Sequence, residues 1–250
     1  MINAHWERRN LGVGVAELEL ETTDGLDEID AAESTAADVG YLVLKTPVSR
    51  SDLLFGLPAR GWQFVEAQES LLLRRDDFRV PAALARFDAA SSWRLAETAE
   101  EAERILAPYR FGSFDTDRVA LDPVFGPKMA GTRYYNWATG VFRGGGEIFE
   151  CLYRDRSIGS FVFQPEANRP RVNRAILGAM LPEYQERGFG TLFFKKNMDA
   201  AFDRSYDEIR TQISSNNPTV FRLWLAFGAE LLETRYVYVK HRASFSHGGH

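Results

Sequence analysis

The residues best suited to chemistry lie in Leu181-Pro182-Glu183-Tyr184-Gln185-Glu186-Arg187-Gly188-Phe189-Gly190-Thr191. An apolar run, 175–181, precedes this segment and an amphipathic stretch, 191–202, follows it, so the order reads strand, turn, helix. Such a turn leaves backbone N–H groups without acceptors where the helix dipole is positive, a place suited to phosphate or pyrophosphate. Gly188 and Gly190 put no Cβ in the path of an anion, and Gln185 adds a neutral donor. The spacing Gln-x-x-Gly-x-Gly lacks the third glycine of the dinucleotide fingerprint and the Gly-Lys-Ser/Thr of a P-loop.

Downstream, 208–214 reads as a short strand and Ser215-Asn216-Asn217-Pro218 as a turn and helix cap, with Pro at the first helical position. Val220, Leu223, Trp224 and Phe227 recur at helical spacing, Gly228 stops the helix, and 231–240 alternates as a last strand. This order, with Asn217 eleven residues before Gly228, resembles that of the GNAT superfamily of N-acyltransferases. The glycine turn is similar to that superfamily's acyl-CoA pyrophosphate loop. The resemblance implies an α/β (α+β) fold with a mixed central sheet flanked by helices. It implies acetyl-CoA as co-substrate, held along Met180 and Leu181, by the loop Gln185, Glu186, Arg187, Gly188, Phe189, Gly190 and Thr191, and by Asn217. A backbone amide, Met180 by position, would polarise the thioester carbonyl. Asn217 reads equally well as a plain helix cap.

The acid and base are less defined. Many members of the superfamily place a Tyr seven residues after the Asn; here Trp224 stands there, and an indole N–H donates a hydrogen bond but gives up no proton near neutral pH. Tyr236 and Tyr238 share one face of the last strand and are the next candidates, against a reading as ordinary strand aromatics. Glu147, Glu150 and Glu166 lie in or beside a hairpin, where a carboxylate could take an ammonium proton through water, though each also reads as a solvent-facing residue. Aromatic residues in 109–114 and 134–137 are candidate walls of an acceptor site.

A chain of 250 residues holds one large domain or two small ones. A faint repeat relates 38–73 to the last strand–helix–Gly–strand unit, with Gly61 on Gly228, Phe64 on Leu231 and Glu66 on Glu233. The expected layout is an N-terminal α/β region over 1–78, a degenerate GNAT-like half lacking the glycine loop. A linker over 79–92, a GNAT domain over 93–243 and a flexible tail over 244–250 follow. A helix is expected at 98–106 from the Thr98–Glu101 capping box, a long loop at 109–128, a helix at 132–142, and a hairpin of 147–153 with 157–164. The layout resembles bacterial N-acetyltransferases acting on nucleotide-linked 4-amino-4,6-dideoxy sugars, the dTDP-fucosamine type.

Hydrophobic content of 45%, charge of 26% and a net charge of −5 are those of a soluble globular protein and argue against nucleic acid as a partner. The longest apolar run is too short for a bilayer and the start lacks an apolar signal core, so no membrane and a cytoplasmic location are expected. A homodimer is compatible with the sequence. The single Cys151 excludes an internal disulfide and reads as a buried structural thiol. All four histidines sit near the chain ends without metal-ligand spacing, so no metal is expected. These readings favour transfer of an acetyl group from acetyl-CoA to a small-molecule amine. A GNAT-like decarboxylase, a carrier-protein-dependent acyltransferase and a non-catalytic CoA-binding module are the alternatives that the missing Tyr leaves open.

Overall fold

The computed structural model describes residues 2–36, 39–111 and 114–242; the expected tail, 244–250, lies outside them. The first half runs β1 (Ile2–Asn3), α1 (His5–Leu11), β2 (Val15–Glu19), α2 (Leu26–Thr35), β3 (Tyr41–Pro47), α3 (Leu53–Ala59) and β4 (Gln63–Arg74). The second half runs α4 (Ala85–Asp88), β5 (Ser91–Leu95), α5 (Ala99–Leu106), α6 (Arg118–Leu121), α7 (Gly126–Arg143), β6 (Glu147–Tyr153), β7 (Arg156–Glu166) and β8 (Arg169–Met180). It ends with α8 (Gly190–Asp203), β9 (Glu208–Ser214), α9 (Pro218–Ala226) and β10 (Glu230–His241). All strands join one mixed sheet in the order β1-β2-β3-β10-β4-β9-β8-β7-β6-β5.

Local chemistry explains most boundaries. Tyr41-Leu-Val-Leu-Lys-Thr-Pro is buried along its whole length, which a near-continuous apolar run predicts for a strand covered on both faces. Thr98 accepts from the Glu101 N–H while the Glu101 carboxylate accepts from Thr98 N–H, and α5 begins there. The β6–β7 hairpin turns on Arg154 and Asp155, both with positive φ (49° and 61°), the conformation a tight two-residue hairpin requires. The region 109–128, expected as a loop, instead holds the end of a 3₁₀ turn (Ala107–Phe111), α6 and the start of α7. Asp117, whose side chain accepts from Ala120 N–H, nucleates α6. The stretch expected as a linker contains a 3₁₀ turn (Ala82–Leu84) and α4. Its Leu84 and Phe87 join the core.

The centre of the sheet has an internal two-fold. The shift that takes Gly61 onto Gly228 takes β3 onto β9 and β4 onto β10 residue for residue. Both glycines have positive φ (80° and 102°), where L-residues are strained. β4 and β10 pair antiparallel about Gln68↔Arg235, and the pairs on either side map onto one another: Ala67↔Tyr236 onto Glu69↔Thr234, Glu66↔Val237 onto Ser70↔Glu233, Phe64↔Tyr238 onto Leu71↔Leu231. Each strand carries one extra residue, Val65 and Leu232, at equivalent places. β10 inserts between β3 and β4, and β4 between β10 and β9, so each half completes the other's sheet. The halves are therefore interlocked through their last strands.

Helices cover both faces. On one, α2 and α3 pack over Leu42, Leu44 and Tyr238, and α8 and α9 over Leu71, Phe149 and Phe163. On the other, α1, α6 and α7 cover Val43, Val237 and Val239, while α5 and α7 cover Ile148 and Val162.

Candidate functional site

β8 and β9 run parallel but pair only over Val172↔Glu208 to Arg174↔Arg210. A last bond, Thr211 Oγ1 donating to the Ala175 carbonyl (3.0 Å), closes the pairing. Beyond it the two strand edges part and line a cleft of about 730 Å³. The equivalent strands of the first half, β2 and β3, stay paired from Val15↔Tyr41 to Glu19↔Lys45. Only the second half is open.

At the end of the parted β8, Leu181 N–H donates to Ile158 O (2.9 Å). Strand alternation then turns the Met180 N–H away from β7, into the gap. A 3₁₀ turn (Pro182–Tyr184) leads to Glu186 (φ 59°) and Gly188 (φ 79°), and α8 starts at Gly190. No side chain caps α8 and its first turn has no acidic residue. Among the described residues the N–H groups of Gly188, Phe189, Gly190 and Thr191 have no acceptor. A Cβ placed on Gly188 or Gly190 would meet nothing within 4 Å. The loop is thus a cradle of free amides at a 14-residue helix N-terminus, complementary to an anion.

The other end of the cleft is lined by the first half and by α6 and α7. Arg133, 3% exposed, donates to Glu7 (2.6 Å) and Asp117 (3.3 Å). Arg118 pairs with Glu7 (3.0 Å), and Lys45 with Glu17 (2.6 Å). Burial alone would raise the Glu17 carboxyl, but Lys45 and Arg118 hold it below its ordinary value. Burial favours the neutral form of Arg133, but the hydrogen bonds and charge of Glu7 outweigh it, so the net shift is upward and the guanidinium stays protonated. Glu66, on β4, is 5% exposed and has no cation within ion-pair distance among the described residues. Burial raises its pKa, opposed in part by the nearby Ser214 hydroxyl and by the field of Arg118. Phe114, Tyr134 and Trp137 form an aromatic side of the same space, with Phe114 and Tyr134 centroids 4.2 Å apart.

The fold, a mixed sheet wrapped by helices, is shared with a group of solved structures. A GCN5-related N-acetyltransferase from Kribbella flavida superposes over 93% of this chain and 83% of its own, with a TM-score of 0.56 and 14% identity. The chain has the GNAT fold. A tandem GNAT protein from the clavulanic acid biosynthesis pathway, solved without AcCoA, covers 88% of this chain and 71% of its own (TM-score 0.56, 13% identity). A conserved protein of unknown function from Staphylococcus epidermidis covers 92% and 84% (TM-score 0.58, 11% identity). At these identities the likeness is one of fold. No family model matches the sequence, and no curated protein matches it either.

Within this GNAT fold the residues singled out from sequence divide. Gly188, Phe189, Gly190 and Thr191 form the cradle, with Glu186 and Arg187 exposed in the loop before it. Gln185 does not present its amide freely: Nε2 donates to the Met180 carbonyl (3.0 Å) and closes the loop. The Leu181 amide is consumed by Ile158, so Met180 alone turns an amide into the gap. Asn217 lines the cleft and also caps α9, its Oδ1 accepting from Val220 N–H (3.2 Å). Trp224 lines the cleft too, 2% exposed and edge-on to Phe194 (5.1 Å).

Three candidates fall elsewhere. Tyr236 packs against Phe64 on the face covered by α2 and α3, opposite Glu66 and the charged cluster, so β-strand alternation keeps its hydroxyl out of that space. Glu150, 1% exposed, is held by Arg94 and Arg104 under α5. Burial alone would raise its carboxyl, yet the two guanidinium groups bring it down to about 2, which makes it a poor base. Glu147 accepts from Arg204 and Tyr206, while Glu166 lies at the cleft rim. Burial pushes the Cys151 thiol up to about 12, and it is inert. Among the described residues no group of His, Cys, Asp and Glu is arranged for a metal, and no helix is long and apolar enough to cross a membrane. The sequence reading missed Glu66 as a cleft residue, although the repeat had already aligned it with Glu233.

Proposed function

We propose that the protein is an N-acetyltransferase that takes acetyl-CoA into the gap between β8 and β9 and transfers the acetyl group to a small primary amine. The observation that carries this is the parted strand pair ending on the free amides of 188–191, with no Cβ in the cradle. Those amides suit the pyrophosphate; the Met180 amide and the Asn217 Nδ2 suit the extended, amide-bearing arm of the co-substrate. Acetyl-CoA supplies an activated thioester. The chain supplies orientation of its carbonyl, a desolvated approach for the amine, and an acceptor for the amine's proton. The acid-free Trp224 is compatible with this, because a thiolate is a good leaving group that the indole N–H can stabilise.

The acceptor fits a nucleotide-linked amino sugar or another natural-product amine, since a walled cleft favours a small molecule over a peptide. Isothermal titration with acetyl-CoA, followed by thiol release against a panel of primary amines, tests the reading. One bound acetyl-CoA per chain with amine-dependent release supports it; absence of binding refutes it. The Trp in place of a phenol favours, as a second reading, a CoA-binding module without transfer. Binding without release across the panel would select that reading, and amine-independent turnover of malonyl-CoA would select a decarboxylase.

A further inference from the structure

Among the described residues, the buried and half-buried charged side chains at the inner end of the cleft are matched to one another with one exception, while Asp115 is exposed to solvent. Glu7 is shared by Arg133 and Arg118, Asp117 pairs with Arg133, and Glu17 pairs with Lys45. Glu66 is the carboxylate left over. Its Oε2 is buried and accepts no hydrogen bond, and two residues along the same face of β4 the Gln68 Oε1 is also buried without a donor. Both residues line the cleft. Two orphaned acceptors side by side on one strand, one of them anionic, are costly unless a donor-rich cation visits them. A primary ammonium carries three N–H donors and one positive charge.

The neighbouring groups define what carries that ammonium. Ser214, at the end of β9, lies beside Glu66 but donates its hydroxyl proton to the Thr116 carbonyl (2.9 Å), so it leaves the Glu66 Oε2 without a donor. Two residues before Thr116 stands Phe114, packed on Tyr134, which in turn faces Trp137 (6.1 Å). A ring beside the amine would lie on these aromatic faces.

We infer that Glu66 and Gln68, on the strand the first half inserts into the second, form the ammonium subsite for a ring-bearing primary amine, and that Glu66 takes its proton. The inference rests on the acetyltransferase reading for its chemistry. The ammonium gives one proton to the Glu66 carboxylate. The freed nitrogen then forms the new C–N bond at the thioester carbonyl as the C–S bond breaks. The second amine proton goes to the departing thiolate, and Glu66 returns its proton to solvent. The half of the molecule that binds no co-substrate thus contributes the base.

Glu66 is faced by Lys45 from β3, by Asp117 and Arg118 at α6, and by Ser214 from β9. Burial, the largest influence, raises its pKa above the ordinary glutamate value. Catalysis requires the ionised form, so turnover should rise with pH through that raised pKa. The same shift means folding favours the protonated form, so this contribution to stability is full below the unfolded pKa and is lost as pH rises through the folded one.

The test uses Glu66→Gln, with benzylamine and its neutral isostere benzyl alcohol as probes. By ligand-observed NMR without CoA, the wild type should bind benzylamine at least ~10-fold more tightly than benzyl alcohol, and the variant should lose that preference. With acetyl-CoA, the variant should turn over ~100-fold more slowly, without the rising pH limb. It should also melt a few degrees higher at neutral pH, a gap that closes on acidification, which separates loss of function from misfolding. Equal affinity of the wild type for the two probes, or an unchanged preference in the variant, overturns the subsite. CoA titration is a separate arm: amine preference without CoA binding would refute acetyl transfer and leave the subsite standing, and CoA binding without amine preference would do the reverse.

Discussion

Gly190→Val separates the fold from the ligand. A Cβ at this position meets no protein atom within 4 Å, and no positive φ is found there, whereas Gly188 sits at φ 79° and would be strained by any side chain. Replacing a glycine in the first turn of α8 should therefore leave the fold intact and stabilise it by a few tenths of a kcal/mol, since Gly is the poorer helix former. The branched side chain fills the cradle above the amides of 188–191. An anion displaced from that cradle loses charge-assisted hydrogen bonds worth ~1.5–3 kcal/mol each. Loss of even one or two corresponds to a drop in acetyl-CoA affinity of roughly 10- to 10⁴-fold. Calorimetric titration of acetyl-CoA into both proteins, with thermal melts of each, reads both halves of the argument. A variant that melts at or above wild type yet binds acetyl-CoA unchanged would refute the assignment of the loop.

Further outcomes follow from other contacts. Gly228→Ala should destabilise by ~3 kcal/mol or more in urea unfolding, because its Cβ would lie 2.0 Å from the Asp77 carbonyl at φ 102°. Glu150→Gln should cost about 2–3 kcal/mol at pH 7, after discounting for the half-exposed arginines. The wild-type carboxyl titrates at about 2 when folded, so its contribution is present above the unfolded pKa and disappears as pH falls through the folded one; unfolding at pH 7 and pH 3 should show the gap closing. Trp224→Phe should lower turnover and stability modestly, roughly 1–3 kcal/mol in all, as for one lost hydrogen bond and a small packing defect. Trp224→Tyr should retain activity, and Tyr236→Phe should leave turnover unchanged, since Tyr236 faces away from Glu66; a loss of ~100-fold in Tyr236→Phe would contradict that placement.

The glycine loop and the unit from β9 to β10 were legible because their chemistry is local. Turn glycines, a cap at Asn217 and helical spacing of apolar residues act within a few residues of one another. The part that proved opaque depends on strand partners. Gln63 to Arg74 reads as a strand with Glu66, Gln68 and Ser70 on one face, a pattern that ordinarily marks a solvent face. The sheet places that strand in its middle, between β9 and β10, and turns those polar residues onto the cleft. Nothing in the alternation states which strands will flank it. Tyr236 failed for the same reason: sequence put it on one face with Tyr238 but could not say which face meets the cleft. Glu150 looked free because its two arginines come from β5 and α5, more than forty residues away.

The central claim is that one half of the molecule opens between its parallel strands and the other does not. Titration of acetyl-CoA into the purified protein tests it most directly. The account predicts a stoichiometry of one per chain, abolished by Gly190→Val and retained in Glu66→Gln. No binding, or two equivalent sites per chain, would contradict it.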